Sequence, residues 1–525
     1  MGLESFLVEV EVDVADKGFP GFSIVGLADK AVAEAKERVK TALVNSGFDF
    51  PQKKIIVNLA PADVPKEGSA YDLAIALGIL VANGDIEIKN QKIENSKNQN
   101  VEDQKTQNSE ITESIFYGEL SLDGSLRHSK GALLVSLFAK KNKFSKVYLS
   151  IMSANEAAVV AGVEVMPVRN LKELIINFLS EKKIEPLKTI EIKSLVEMAV
   201  PEFDMGEIVG QELAKRALTI AAAGGHNMLM SGPPGSGKTM LSRALPGILP
   251  PMSEEESMEV TRVYSAAGLM EAGEAVVRRR PFRSPHHSTS LAGLIGGGTK
   301  PVPGEVSLAH LGVLFLDEMA EFPRSVLEAM RQPMEDGKVE ISRVGGRMSY
   351  PAYFQLIAAV NPCPCGFLGD PKKECKCTTR EIERYKRRIS GPILDRIDLH
   401  VLVPAVETEK IVGVVPKGES SLSLREAVVK ARQIQGARFA GSKAYCNSQM
   451  KNKQTKEFCG LDEAGTRVLR LAMEKYDLSA RGYFRILKVA RTIADLDPAS
   501  REKRGGGPIL ASHLSEALQY RERVF

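Results

Sequence analysis

Residues 232–239 read Gly-Pro-Pro-Gly-Ser-Gly-Lys-Thr, and this octapeptide decides the fold of the segment around it. It fits G-x-x-x-x-G-K-[ST], the phosphate-binding loop. Such a loop wraps backbone N–H groups around the α- and β-phosphates of a nucleotide. Gly232, Pro233, Pro234, Gly235, Ser236, Gly237, Lys238 and Thr239 are therefore the candidate nucleotide-binding residues. Lys238 would reach the β- and γ-phosphates, and the Thr239 hydroxyl would coordinate Mg²⁺. The apolar Met228-Leu229-Met230 before the loop predicts a short buried strand. Met240, Leu241, Ala244 and Leu245 after it have helical spacing, so a helix would begin facing the anion.

A second nucleotide motif lies downstream. Val313-Leu314-Phe315-Leu316 predicts a buried strand ending in Asp317-Glu318. Asp317 would hold Mg²⁺, and Glu318 would polarise the water that attacks the γ-phosphate. The next apolar strand, Phe354 to Val360, ends in Asn361-Pro362.

Gross composition excludes several classes. The chain has 525 residues, 43% hydrophobic and 26% charged, which suits about three or four globular domains. No apolar run reaches the ~18 residues that span a bilayer, and the N-terminus lacks a basic n-region followed by a long apolar h-region. A cytoplasmic protein without membrane partners is expected. The net charge of +4 says little, but Arg278-Arg279-Arg280 with Arg283, and Arg384 to Arg388, are clusters that suit phosphate backbones or a solvated surface equally. Of six cysteines, four fall between Cys363 and Cys377, whereas Cys446 and Cys459 read as plain thiols.

Along the chain the patterns divide into segments 1–180, 181–200, 201–405 and 406–525. The first alternates strand-like pieces (Leu7 to Val12, Ile55 to Leu59, Val147 to Leu149) with helical ones (Val32 to Leu43, Tyr71 to Val81, Asn155 to Ala161). Residues 85–115 interrupt it with Asn, Gln, Glu, Lys and Ser and too few apolar side chains to offset ordering entropy, which predicts a disordered insertion. Residues 181–200 read as a linker. The last segment is helical, with apolar i, i+3/i+4 spacing at Leu424 to Ile434, Ala464 to Lys475, Tyr483 to Leu496 and Ile509 to Tyr520.

These motifs resemble the AAA+ ATPases. The resemblance implies that Asn361 is the sensor 1 residue, that Arg396 in Leu394-Asp395-Arg396-Ile397-Asp398 is an arginine finger reaching a neighbour's ATP, and that Arg481 in Leu478-Ser479-Ala480-Arg481 is the sensor 2 arginine of a helical lid. A finger supplied by a neighbour requires an oligomer, and a closing heterologous interface makes a ring; the resemblance implies a hexamer. Gly21 to Leu27, Val57 to Asp63, Pro281-Phe282-Arg283-Ser284-Pro285-His286-His287, Pro303-Gly304-Glu305, Asn361 to Gly366 and Ala490 to Leu496 make it more specific. Nearly the whole chain is similar to the ComM/YifB group of magnesium-chelatase-like AAA+ ATPases. That implies a multidomain α/β protein: a Lon-protease-like α+β N-terminal domain (1–180), an AAA+ P-loop α/β core (201–405) and a C-terminal helical lid domain (406–525). Against the family pattern, the chain starts almost at the strand near Leu7, leaving the first domain short at one edge. Ser69 in Pro65 to Ala70 resembles the Lon nucleophile segment, but a Ser nucleophile needs a lysine of lowered pKa. Lys130 is merely nearby in sequence, so a structural or DNA-guiding collar is expected rather than a protease.

Cys363-x-Cys365-x₉-Cys375-x-Cys377 places four thiolates where a tetrahedral structural Zn²⁺ could sit. Beginning two residues after Asn361 and ending before Arg396, such a clamp would stiffen the path between sensing and the intersubunit contact, so zinc loss is expected to impair ring-dependent hydrolysis more than nucleotide binding. Two stretches are expected to project from the core: Pro281 to His310, and Val339 to Tyr350, a strand, Gly-Gly turn, strand hairpin. In related ATPases hairpins here enter the central pore, which implies that Lys338, Arg343 and Arg347 grip DNA phosphates. His286 and His287 have no acidic neighbour in sequence and read as structural or pore-facing. The expected function is an ATP-hydrolysing ring helicase, with ATP and Mg²⁺ as cofactors, that drives branch migration of single-stranded and branched DNA in natural transformation. The alternatives are a protein-remodelling ATPase and a magnesium-chelatase motor subunit.

Overall fold

The computed structural model describes residues 2–521 except 28, 87–110, 181, 197–201, 299–301, 344–345, 371–372, 406–417, 443, 477–478 and 499–505, and it leaves out the side chains of 342–347 and 476. Most of the stretch read as an insertion at 85–115 lies outside the described residues. The chain forms two compact units. Met1–Leu195, Glu254–Arg278 and Glu340–Ser349 make the first; Val196–Ser253, Arg279–Val339 and Tyr350–Phe525 make the second.

In the first unit, β1 (Glu9–Ala15), β2 (Gly21–Val25) and β3 (Lys54–Ala60) form a sheet with β3 in the centre, antiparallel to β1 and parallel to β2. β3 alternates, so Ile55, Val57 and Leu59 are fully buried while the intervening residues are less so. They pack in one core with the helix Asp72–Asn83, whose Leu73, Ile75, Ala76, Ile79 and Leu80 are also buried. A second, parallel sheet holds β4 (Ser114–Tyr117), β5 (Lys146–Ser150) and β6 (Glu164–Val168). The strand expected from Leu7 starts at Glu9. The helix expected at Asn155 to Ala161 instead spans Ile151–Ala157, because the Ser150 hydroxyl accepts from Met152 N–H and starts the helix directly at the strand end. The helix Glu254–Ala267 belongs to this unit although it comes after the phosphate loop in sequence. Buried Glu156 anchors it, accepting from Ser265 Oγ at 2.6 Å and from Leu133 N–H at 2.8 Å.

The second unit contains β7 (Met228–Ser231), β8 (Phe282–Arg283), β9 (Gly296–Gly297), β10 (Val302–Pro303), β11 (Val313–Leu316), β14 (Gln355–Val360) and β15 (Leu399–Leu402). Between β11 and β14 the chain runs through a two-stranded sheet of β12 (Lys338–Arg343) and β13 (Gly346–Pro351), most of which belongs to the first unit. Five strands form a wholly parallel sheet in the order β15-β7-β14-β11-β8. Every residue of β7, β11 and β14 is buried, as expected for a sheet covered on both faces. Pro281 to His310 does not simply project: Phe282–Arg283 is the edge strand, pairing with Val313 and Leu314. The helices Ser421–Arg438, Glu463–Tyr476 and Ala480–Leu496 cover the expected helical stretches, Ala511–Gln519 falls within the one expected from Ile509 to Tyr520, and all four share one core with the sheet.

That core encloses a charged cluster. Asp495, fully buried, accepts from both Arg438 Nη atoms at 2.6 and 2.7 Å, from Arg491 Nε at 3.1 Å and from Asn447 Nδ2 at 2.8 Å. Removing one member leaves the others charged in a low dielectric. We expect Asp495→Ala to cost about 3–5 kcal/mol, measured as a lower urea midpoint of the full chain followed by circular dichroism.

Candidate functional site

Strand β7 ends at Ser231 and delivers the phosphate loop to the carboxyl end of the parallel sheet. Three glycines shape the loop for different reasons. A Cβ at Gly232 would lie 2.1 Å from the Val403 carbonyl, whereas Gly235 and Gly237 have φ of +77° and +89°, which L side chains rarely adopt. Gln211 braces the loop by donating from Nε2 to Ser236 O at 3.2 Å and to Pro404 O at 2.6 Å.

Pro234 to Met240, Asp317, Glu318 and Ala359 to Asn361 line one cleft of about 390 Å³. Strand order explains the assembly: β14 lies between β7 and β11, so Asn361 emerges between the loop and the carboxylates. Lys238 Nζ donates to Gly232 O at 2.7 Å and Pro233 O at 2.9 Å and lies 3.4 Å from Asn361 Oδ1. Burial pushes the Lys238 ammonium down to about 8, against the pull of Asp317 and Glu318. Thr239 Oγ1 donates to Asp317 Oδ2 at 2.8 Å. This hydroxyl–carboxylate pair is the hard-oxygen donor set that Mg²⁺ prefers. Glu318 has φ +49°, a strained value for a glutamate, and its N–H donates to Asp317 Oδ1 at 3.0 Å.

His287 Nδ1 lies 3.8 Å from Glu318 Oε2, and its ring is 4.0 Å from that of His286. The acidic neighbour that the sequence does not supply to His287 is therefore supplied by the fold. No spacing along the chain signals this meeting, because it depends on the loops that leave β8 and β11.

Arg396 and Arg481 do not line the cleft. Arg396 Nη1 donates to Pro392 O at 2.8 Å, and Nη2 pairs with the Glu335 carboxylate. The Arg396 guanidinium holds the Glu335 carboxyl below the usual range, and Arg481 and Arg485 add to the effect. Arg481, exposed, sits in the first turn of Ala480–Leu496, which Ser479 caps by accepting from Gly482 N–H. Asn227 Nδ2 donates to Arg396 O at 3.0 Å, while its Oδ1 accepts from Leu356 N–H at 2.8 Å, tying this segment to β14.

The four cysteines come together. Their sulfurs lie within 4.8 Å of one another, with Cys363–Cys365 at 3.4 Å and Cys375 3.6 Å from both. A tetrahedron with Zn–S bonds of about 2.3 Å has S···S edges of about 3.8 Å, so the set fits a zinc-sized ion. Backbone N–H groups of Phe367 and Lys376 help bring the Cys365 thiol down to about 6.

Other expected contacts divide. Lys338 opens β12; Arg343 ends that strand and Arg347 lies on β13, but the side chains of both fall outside the described ones. In the basic clusters, Arg283 pairs with both Glu305 oxygens, Arg280 donates to Pro250 O and Leu311 O, and Arg388 pairs with Glu321, so these three serve local structure. In the first unit, Ser69 Oγ donates to the Glu119 carboxylate, buried Lys66 donates to Pro61 O, and exposed Lys130 offers its carbonyl to Tyr117. No Ser–Lys hydrogen bond forms at Ser69 among the described residues.

The family described as magnesium chelatase, subunit ChlI, matches residues 204–411. Subunit ChlI of Mg-chelatase matches 10–97, and the magnesium chelatase subunit ChlI C-terminal family matches 418–521. Competence protein ComM of Haemophilus influenzae is 42% identical, covering 100% of this chain and 96% of that protein. YifB of Escherichia coli is 39% identical, covering 99% and 95%. More distantly, the Holliday junction branch migration complex subunit RuvB of Clavibacter michiganensis is 24% identical over 63% of this chain and 78% of its own.

Lys238 makes the cleft's affinity pH-dependent. Below about 8 the ammonium is already charged and binding a polyphosphate takes up no proton. Above about 8 the free site is neutral while the bound site stays charged, so nucleotide affinity should fall by about tenfold per pH unit. Titration of a fluorescent ATP analogue over about two pH units either side of the shifted value checks this; Lys238→Arg should flatten the profile.

Proposed function

Given that the chain belongs to the ComM/YifB family of magnesium-chelatase-like AAA+ ATPases, we propose that it is a ring-forming, ATP-driven DNA motor that moves branch points as incoming DNA recombines. Family membership makes it an ATPase that uses ATP with Mg²⁺. The observation that carries the rest is the position of Arg396. It does not line its own chain's cleft; Glu335 and the Pro392 carbonyl hold it instead, and release from them would free it for a neighbour's site.

Within a protomer, the loop amides and Lys238 bind the phosphates. Thr239 and Asp317 would hold Mg²⁺, which when bound neutralises charge on the β- and γ-oxygens. Glu318 accepts the proton of the attacking water, and Asn361, between the loop and the carboxylates, orients that water. Arg396 of one subunit offsets the γ-phosphate charge of the next, and Arg481 closes the helical segment over the nucleotide. A heterologous contact of this kind closes into a ring, taken here as a hexamer. Cys363, Cys365, Cys375 and Cys377 hold a structural Zn²⁺. The β12–β13 hairpin carries Lys338, Arg343 and Arg347 toward DNA phosphates, with affinity that falls steeply with salt.

DNA as the track draws its support from the names of two relatives, one a competence protein and one a branch migration subunit. No helix among the described residues is long and apolar enough to cross a membrane. The family descriptions also name magnesium chelatase, so a motor driving metal insertion through a partner is the second reading, and protein remodelling the third.

ATP hydrolysis should rise with single-stranded or forked DNA, and a three-stranded junction should migrate with ATP. Glu318→Gln should bind ATP yet lose about 10²-fold or more in turnover. Arg396→Ala should lose about 10³-fold. Mixing these two variants should restore part of the activity, because an Arg396→Ala subunit keeps its own Glu318 and can borrow the arginine of a Glu318→Gln neighbour. Turnover indifferent to DNA, with no junction movement, would overturn the motor reading.

A further inference from the structure

The cysteine knuckle touches the phosphate loop. Cys363 lies three residues beyond the end of β14, and Gly366 N–H donates to Cys363 O at 3.0 Å, closing a tight turn. Gly366 is buried with φ +84°, and a Cβ there would lie 2.5 Å from Pro234 Cδ and 2.8 Å from Cγ. Pro234 lines the nucleotide cleft. The turn that carries the first two cysteines, Cys363 to Gly366, is thus in van der Waals contact with the loop that holds the phosphates.

Little else can hold this turn in place. Among the described residues from Asn361 to Cys377 there is no helix or strand, and most of them are exposed or only partly buried. A segment without a ladder or a core of its own takes its shape from cross-links, and a cation bound by four thiolates from two ends of the segment is such a cross-link. Without it the cross-link joining Cys363 and Cys365 to Cys375, whose sulfurs lie 3.4–3.6 Å apart, is lost.

We infer that Cys363, Cys365, Cys375 and Cys377 bind a thiophilic divalent cation of the zinc class, and that the knuckle so formed sets the position of Pro234 through Gly366 and with it the affinity of the cleft for nucleotide. This rests on the structural-zinc reading given above. It differs from the sequence-based expectation, in which zinc loss impairs ring-dependent hydrolysis more than nucleotide binding.

The loop contains its own control. Gly369 has φ +77° but nothing within 4 Å of its would-be Cβ, so Gly369→Ala imposes the same backbone strain without pressing on Pro234. The experiment measures metal content and the affinity for a fluorescent ATP analogue with Mg²⁺ present, for wild type, Gly366→Ala, Gly369→Ala, Cys375→Ser and metal-stripped wild type. Circular dichroism confirms folding. The expected result is one zinc per chain in the wild type and both glycine variants, with nucleotide affinity weakened about tenfold in Gly366→Ala and after stripping or Cys375→Ser, and unchanged in Gly369→Ala. Substoichiometric zinc in the wild type would overturn the zinc reading and this inference with it. Stoichiometric zinc with affinity insensitive to stripping, or to Gly366→Ala, would overturn the inference alone. So would equal weakening by Gly369→Ala, which would assign the effect to backbone strain.

Discussion

The parallel register of three strands is the constraint on which the site depends. Val360 on β14 pairs with Ser231 on β7, and Ala358 pairs with Leu316 on β11. Strands aligned in this way end at one level, so the loop after β7, the carboxylates after β11 and the amide after β14 meet at the carboxyl end of the sheet. All three strands are buried on both faces, so a slip of one residue would repack every contact each strand makes with the layers on either side. The geometry of the cleft is thereby tied to the stability of the core beneath it.

A second set of interactions carries that order outward. His226, just before β7, pairs with Asp398 at 3.1 Å and with Thr492 of the helix Ala480–Leu496 at 2.8 Å. Burial alone would raise the Asp398 carboxyl, but Arg485 and His226 hold it well below the ordinary range. The neighbouring Asn227 binds the Arg396 carbonyl and β14. Two adjacent residues at the root of the loop strand therefore fix both arginine-bearing segments, one holding Arg396 and the other Arg481. In a motor, such polar links can pass a change at the nucleotide to the helical part without repacking the apolar core.

Several features were legible because chemistry and spacing coincide along the chain. The phosphate loop, the Asp317-Glu318 pair, the β12–β13 hairpin and the four-cysteine group each sit within about twenty residues, and each needs only local geometry. The amphipathic C-terminal helices were legible for the same reason. The strand before the loop was read from three residues, and the structure extends it by one, to Ser231.

What stayed hidden involves segments far apart in sequence. The helix Glu254–Ala267 has a buried face, but periodicity does not say that Glu156 of another segment binds it. His287 beside Glu318, Glu335 on Arg396 and Gly366 against Pro234 are likewise contacts between separate loops. The sequence by itself determined which residues could bind phosphate, hold Mg²⁺ and gather thiolates, since those capacities reside in residue type and short spacing. Only the tertiary structure decided which of them face one another, because strand order and register, set by packing over the whole sheet, place the loops side by side.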